Sequence, residues 1–268
     1  MLKDITIGQY FPGDSVLHRM DPRYKIIITL IFIVMLFLGD HIYSLLFGVV
    51  LCILALALSN IPLNLIWKNM KVLIPILLIT AILDVFLIEG DTVLVDWYFI
   101  EITWEGIRTA IMMIIRILTL VAGTSLLTYT TSPIALTDAI ERLLSPLKKI
   151  HVPVHAFAMM MTIALRFIPT LLEETDKIMT AQKARGASLG EGKWLDRAKA
   201  LVPILIPLFV SAFRRAEELA TAMECRCYRG DEGRTKMRQL HAAKRDYIAL
   251  TISLVLLALA IATRIIWG

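Results

Sequence analysis

The segment Thr180-Ala181-Gln182-Lys183-Ala184-Arg185-Gly186 recurs 41 residues later as Thr221-Ala222-Met223-Glu224-Cys225-Arg226-Cys227, with Asp176 over Glu217 and Ile178 over Leu219. Each copy closes what reads as a long helix, and each keeps the same arginine. A guanidinium carries five donors in a planar fork, so it suits a socket lined by carboxylates or carbonyls. One copy taken alone also fits a plain helix end, because a cation in the last turn offsets the helix dipole and a glycine after it is an ordinary cap. Two copies point to two similar sockets on two similar partners. The docking residues are then Ala184, Arg185 and Gly186 at one end and Cys225, Arg226 and Cys227 at the other.

Other residue patterns suggest chemistry and fall short of it. Gly186 to Trp194 resembles a phosphate loop, yet GxxxxGK[ST] needs glycine where Ala187 stands and Ser or Thr where Trp194 stands, and no strand precedes it. His151 and His155 have the spacing of helical metal ligands, but Pro153 lies between them and no acidic partner completes the pattern. A lone Cys225-Arg226-Cys227 lacks the second cysteine pair of a zinc site. No Ser, His and Asp set and no carboxylate pair can be assembled, so no catalytic residue, metal site, cofactor or nucleic-acid partner is expected. Met159, Met160 and Met161 fit an adaptable partner surface and ordinary core filling equally well.

The elements that position the two arginines follow from composition. The 268 residues are 57% apolar and 19% charged, with a mean hydropathy of +0.71, well above a soluble domain. This excludes a disordered chain or an ordinary soluble enzyme, and three cysteines cannot staple a chain of this size. Apolar runs near the membrane-crossing length of about 20 residues fall at 25–39, 42–58, 72–88, 107–129 and 247–267, with a tight turn expected at Gly39-Asp40. The N-terminal residues lack the pattern of a cleaved signal, so the N-terminus is expected to be retained.

Lysine and arginine mark the cytoplasmic side. There are four in residues 1–25, two in 59–71, nineteen in 133–246, and none in 39–42 or 89–106. The N-terminus is therefore expected inside and the C-terminus outside, with Trp97, Tyr98 and Trp104 in an interfacial belt. Asp84 is expected near the outer end of its span, where it can form a structural ion pair with Arg108 or, alternatively, with Arg116.

The expected fold is an all-α membrane protein of about five transmembrane helices. Residues 1–129 form the N-terminal transmembrane region, 130–246 a helical cytoplasmic coupling module, and 247–268 a C-terminal transmembrane helix. Within the module, Ser132-Pro133 opens a helix that ends at Ser145-Pro146, and long helices are expected over 154–185 and 195–226. Prolines 169, 203 and 207 and Arg166 interrupt their apolar halves, which therefore do not read as straight spans. Ala212, Ala216 and Ala220 repeat every four residues and predict a face where the two long helices cross closely.

Five segments in this order resemble one family: Ser15 through Lys25 (SVLHRMDPRYK), Thr130-Thr131-Ser132-Pro133, Leu165-Arg166-Phe167-Ile168-Pro169, Ala181 through Gly186, and Ala222 through Tyr228. Together they are similar to the transmembrane T component of energy-coupling factor (ECF) transporters, over essentially the whole chain. The resemblance implies a scaffold in the bacterial cell membrane that belongs to an ABC-type importer for vitamins or other micronutrients. It also implies two ABC ATPase subunits bound from the cytoplasm and a small substrate-binding membrane subunit (S component) beside the chain. Two long coupling helices would cross and seat their terminal arginines in ATPase grooves, which maps onto Arg185 and Arg226. Cysteines stand beside Arg226 where the family usually has alanine and glycine. The rival reading is a self-sufficient permease or channel, against which stand the nearly apolar first, second and fifth spans. The vitamin cannot be named from this chain.

Overall fold

The computed structural model describes residues 10–38, 42–88, 92–97, 100–187, 194–230 and 240–267. The helices are α1 (Pro22–Leu38), α2 (Ile42–Ser59), α3 (Leu63–Leu87), α4 (Trp104–Thr130), α5 (Pro133–Leu143), α6 (Val154–Ala184), α7 (Trp194–Cys225) and α8 (Lys244–Trp267). A short antiparallel hairpin, β1 (Val93–Trp97) with β2 (Ile100–Thr103), precedes α4, and a 3₁₀ turn (Ser145–Ile150) precedes α6. The protein is an all-α membrane protein. By length and composition α3, α4, α6 and α8 are each able to cross a bilayer. The 17 residues of α1 span only about 25 Å at 1.5 Å per residue. The expected Gly39-Asp40 turn, Tyr98 and the segment 188–193 of the phosphate-loop resemblance lie outside the described residues.

Two of these helices differ from the sequence expectation. Helix α3 begins at Leu63, nine residues before the apolar run at 72, because Lys68 and Lys71 sit on its exposed side and do not interrupt it. Helix α6 runs unbroken through Pro169 where an interruption is expected, and its length and composition alone would suffice for a membrane crossing. Helix α7 likewise continues through Pro203 and Pro207.

The chain divides into two compact units, residues 8–136 with 239–268, and residues 1–7 with 137–238. In the first, α4 packs on α1, α2 and α3, while α8 packs on α1 and α2. The core is built from Phe32, Met35, Leu36, Leu51, Leu126 and Tyr129 with their neighbours. Lipid is as apolar as these side chains, so close fit must hold the helices together. A Cβ on Gly123 of α4 would lie 2.3 Å from the Phe32 ring, and one on Gly48 of α2 would lie 2.5 Å from Leu36. Both glycines receive a large side chain of α1.

The segment resembling the family's N-terminal motif ties this unit together at one end. Asp21 caps α1 by accepting from the Arg23 N–H at 2.9 Å, and Pro22 occupies the first helical position, where a missing N–H costs nothing. The Asp21 carboxylate also holds the Arg23 guanidinium at 2.5 Å, and Arg23 reaches the Leu240 carbonyl at 3.2 Å. Asp246, fully buried in the first turn of α8, accepts from the Asp21 N–H at 3.2 Å and the Ala243 N–H at 2.8 Å. Lys25 is buried, donates to the Thr130 carbonyl and the Thr131 hydroxyl, and has the carboxylates of Asp21 and Asp246 to balance its charge. Phe11, through its N–H, bonds the Tyr129 carbonyl at 2.9 Å. A few polar side chains thereby join α1, α4 and α8 where their ends meet.

At the opposite end of α4, Thr103 caps the helix, accepting from the Gly106 N–H at 3.2 Å and donating to the Ile88 carbonyl just past α3 at 2.8 Å. Thr92 donates to the Glu105 carboxylate at 2.9 Å. The ion pairs found among the described residues do not include one between Asp84 and Arg108. Gly106 brings the start of α4 onto the Asp84 and Val85 backbone, Arg108 is exposed, and Asp84 Oδ2 is buried with no hydrogen-bond partner among the described residues.

Candidate docking site on two arginine-ended helices

The second unit is built around α6 and α7, which run antiparallel. Gln182 donates to the Pro203 carbonyl at 3.2 Å, Glu174 accepts from the Ser211 hydroxyl and from Arg215 at 2.8 Å, and the Tyr228 hydroxyl meets the Met159 sulfur at 2.8 Å. Each contact lies further along one helix and further back along the other, so the pair is matched over most of its length. The Glu174–Arg215 pair is part-exposed and worth no more than about 1 kcal/mol. It sets register more than it adds stability.

The face of α7 turned inward carries buried Ile204 and half-buried Leu208, Ser211, Arg215, Leu219 and Met223. Of the predicted crossing alanines, Ala212 is half-buried while Ala216 and Ala220 are exposed, so the alanine row is not the packed face. Each alanine follows a residue of the packed stripe by one position (Ser211, Arg215 and Leu219), which turns it about 100° away from that face.

The two helix ends have the same geometry. After α6, the Gly186 N–H bonds the Lys183 carbonyl at 3.0 Å and the Ala187 N–H the Gln182 carbonyl at 3.0 Å. After α7, the Cys227 N–H bonds the Glu224 carbonyl at 2.9 Å and the Tyr228 N–H the Met223 carbonyl at 3.1 Å. These are the paired bonds of a Schellman cap, related by the same 41-residue shift as the sequence repeat. Gly186 and Cys227 hold the left-handed position with φ of +87° and +57°. Arg185 and Arg226 therefore occupy the equivalent place in both caps, and Ala184, Arg185, Gly186, Cys225, Arg226 and Cys227 are all exposed.

The antiparallel register fixes how far apart the arginines lie. Arg185 is three residues beyond Gln182, beside Pro203, whereas Arg226 is 23 residues further along α7, about 35 Å at 1.5 Å per residue. The unit presents two like-shaped cations at opposite ends of a helical hairpin. Between them α7 displays Leu205, Ile206, Phe209, Val210 and Phe213, the last 72% exposed, an apolar face left uncovered by the described residues of this unit.

The two predicted histidines separate. His155 pairs with Glu141 of α5 at 3.0 Å, while His151 ends the 3₁₀ turn at a φ of +62°. Met159 lies under Tyr228, while Met160 and Met161 are exposed. The Cys225 and Cys227 thiols are free and exposed.

The chain is an all-α membrane protein with two matched helix ends, each carrying an exposed arginine. Comparison with known proteins places it: the chain belongs to the CbiQ family, described as cobalt transport protein, whose model matches residues 13–237. It is 54% identical over 269 residues to the energy-coupling factor transporter transmembrane protein of Clostridium kluyveri, covering 100% of both chains. The protein of that name from Ruminiclostridium cellulolyticum is 54% identical, with 95% of each chain covered. The one from Listeria innocua is 46% identical, with 96% of this chain and 97% of the relative covered.

Proposed function

We propose that this chain is the energy-coupling subunit of an ECF-type importer in the bacterial cell membrane, joining two cytoplasmic ABC ATPases to a small substrate-binding membrane subunit. The observation that carries the reading is the pair of identical caps presenting Arg185 and Arg226 about 35 Å apart on one hairpin. Two like sockets on two like ATPases would each receive one arginine. ATP-driven approach of the ATPases would then press on both ends of a single rigid object. The apolar face from Leu205 to Phe213 supplies a surface for the membrane subunit, so that motion at the caps reaches the protein that holds the substrate, a vitamin or another micronutrient. The chain contributes no catalytic group, and nucleotide is hydrolysed by its partners. The nineteen basic residues of 133–246 favour a cytoplasmic module and N-terminus, with the C-terminus outside.

The test is co-purification. Arg185→Glu with Arg226→Glu should abolish capture of both ATPases while membrane insertion is unchanged, because reversal leaves a carboxylate where a guanidinium is expected. Capture of both at wild-type yield by the double variant would remove the docking reading.

A further inference from the structure

A cavity of about 260 Å³ lies within the first unit, enclosed by α1, α2, α4 and α8. Its back wall is the buried core: Phe32, Leu51, Cys52 and Leu126. On its open side stand Leu54, Leu58, Ile248 and Ile252, all lining the cavity and all exposed. Away from Lys25, Arg245 and two threonines the lining is apolar, and the exposed lining residues of α2 and α8 put its mouth between those helices, the direction in which a membrane helix meets lipid.

The two ends of the cavity differ in charge. Along α1 the lining runs from Lys25 to Phe32 and along α8 from Arg245 to Ile252, seven residues in each case, or about 10 Å. Every charged lining residue is at the first end. Lys25 is occupied there by the Thr130 carbonyl and the Thr131 hydroxyl. Arg245 is exposed, and the one bond found for it among the described residues runs from its guanidinium to the Arg19 carbonyl. Nearby carboxylates are committed elsewhere, Asp21 to Arg23 and Asp246 to two backbone N–H groups. Arg19 is exposed and only loosely paired with Asp14 at 3.6 Å, and Lys244 is exposed as well. The end of the cavity at which helices α1 and α8 begin thus carries Lys25 and Arg245 in its lining, with exposed Arg19 joined to Arg245 through its carbonyl and exposed Lys244 next to it in the chain.

We propose that this cavity binds one acyl chain of an anionic phospholipid, with the headgroup phosphate held by Arg245 and the neighbouring Arg19 and Lys244. The fit is of length as well as of charge. Ten ångströms of apolar slot beneath a basic rim takes the upper two-thirds of a leaflet's roughly 15 Å of hydrocarbon, and basic residues at a membrane surface favour anionic headgroups. This site belongs to the first unit and uses none of the docking residues, so it stands whether or not the coupling role does.

The experiment uses the full-length chain, reconstituted in bilayer discs of phosphatidylglycerol and phosphatidylcholine in equal amounts, released into mild detergent and weighed intact by native mass spectrometry. Wild-type chain should retain one phosphatidylglycerol in preference to phosphatidylcholine. Arg245→Gln, an exposed change, should cut that preference about fivefold while still carrying a lipid. Ala249→Phe, which fills the slot from α8, should lose the retained lipid of either kind, and Ala55→Met from α2 serves as the milder plug where the phenylalanine variant fails to insert. Equal retention of the two lipids by the wild type, or full retention by a correctly inserted plugged variant, overturns the proposal.

Discussion

Gln182 of α6 donates to the carbonyl of Pro203 on α7 at 3.2 Å, a carbonyl left without its partner four residues on because Pro207 has no N–H. The proline that interrupts the hydrogen-bond ladder of one helix thereby becomes the anchor for the end of the other, just before Arg185. Gln182→Leu should free that end. The bond is exposed and water replaces part of it, so the cost is about 0.5 kcal/mol, too small to move global unfolding by much. Hydrogen exchange at residues 180–187 should nonetheless accelerate while 220–228 stay unchanged. Equal protection in the variant and the wild type would show that the carbonyl does not anchor the end.

Gly186 and Cys227 hold the same left-handed conformation, but only glycine holds it without strain; an L side chain there costs roughly 1–2 kcal/mol. Cys227→Gly should therefore slow exchange at the end of α7 by about fivefold, and Gly186→Val should fray the end of α6. If ATPase docking needs both caps formed, the valine variant should also lose capture of one ATPase although Arg185 is intact.

The two arginine-bearing caps were legible because they repeat: an arginine kept across a 41-residue shift is visible in one sequence, and the caps are local chemistry that depends on few distant contacts. What was not legible depended on rotation and on partners. Small residues mark a close approach only where they face it, and Ala216 and Ala220 sit one position, about 100°, past Arg215 and Leu219, while the residues that do face α6 are chemically mixed (Ile204, Ser211, Arg215, Leu219) and give no simple pattern. Lys68 and Lys71 looked like the end of a loop and lie on one exposed side of α3. The hairpin before α4 is too short, and too rich in acids, for alternation to reveal it. The corresponding prediction is that Ala216→Leu and Ala220→Leu shift the thermal midpoint by less than an amount equivalent to about 0.5 kcal/mol, whereas Ile204→Ala lowers it by about 2–4 kcal/mol. Destabilisation by the alanine variants equal to that of Ile204→Ala would restore the alanine face as the crossing.

Acid should loosen the joint between α1 and α8. Burial pushes the Asp21 carboxyl up, but the Arg23 guanidinium and N–H, helped by Lys25, outweigh it and hold it below the ordinary carboxylate value of 3.8. A carboxylate whose folded pKa is depressed contributes stability that is present above its unfolded value and is lost as pH falls through the folded one. The wild-type thermal midpoint should therefore fall more steeply than that of Asp21→Asn as pH is lowered below about 4, and the two should differ by a constant amount from pH 5 to 7. Parallel curves at low pH would show that the Asp21–Arg23 pair adds nothing.

The contact between Phe32 and Gly123 offers the sharpest test of how the membrane helices hold together. A methyl at position 123 would lie 2.3 Å from Cε1 and 2.6 Å from Cζ of the ring, closer than any real contact, so the ring must leave its packing with Met35 and Leu126 and shift toward the cavity it lines. Gly123→Ala should cost about 1–3 kcal/mol through overpacking, even though alanine suits a helix better than glycine by up to 1 kcal/mol. Phe32→Leu alone should also cost stability, by leaving space where the ring edge was. Combined, the smaller leucine makes room for the added methyl, so the double variant should be more stable than the sum of the two losses predicts, with a coupling of 1 kcal/mol or more in a thermodynamic cycle. Strict additivity would mean that α1 and α4 are held by something other than this fit.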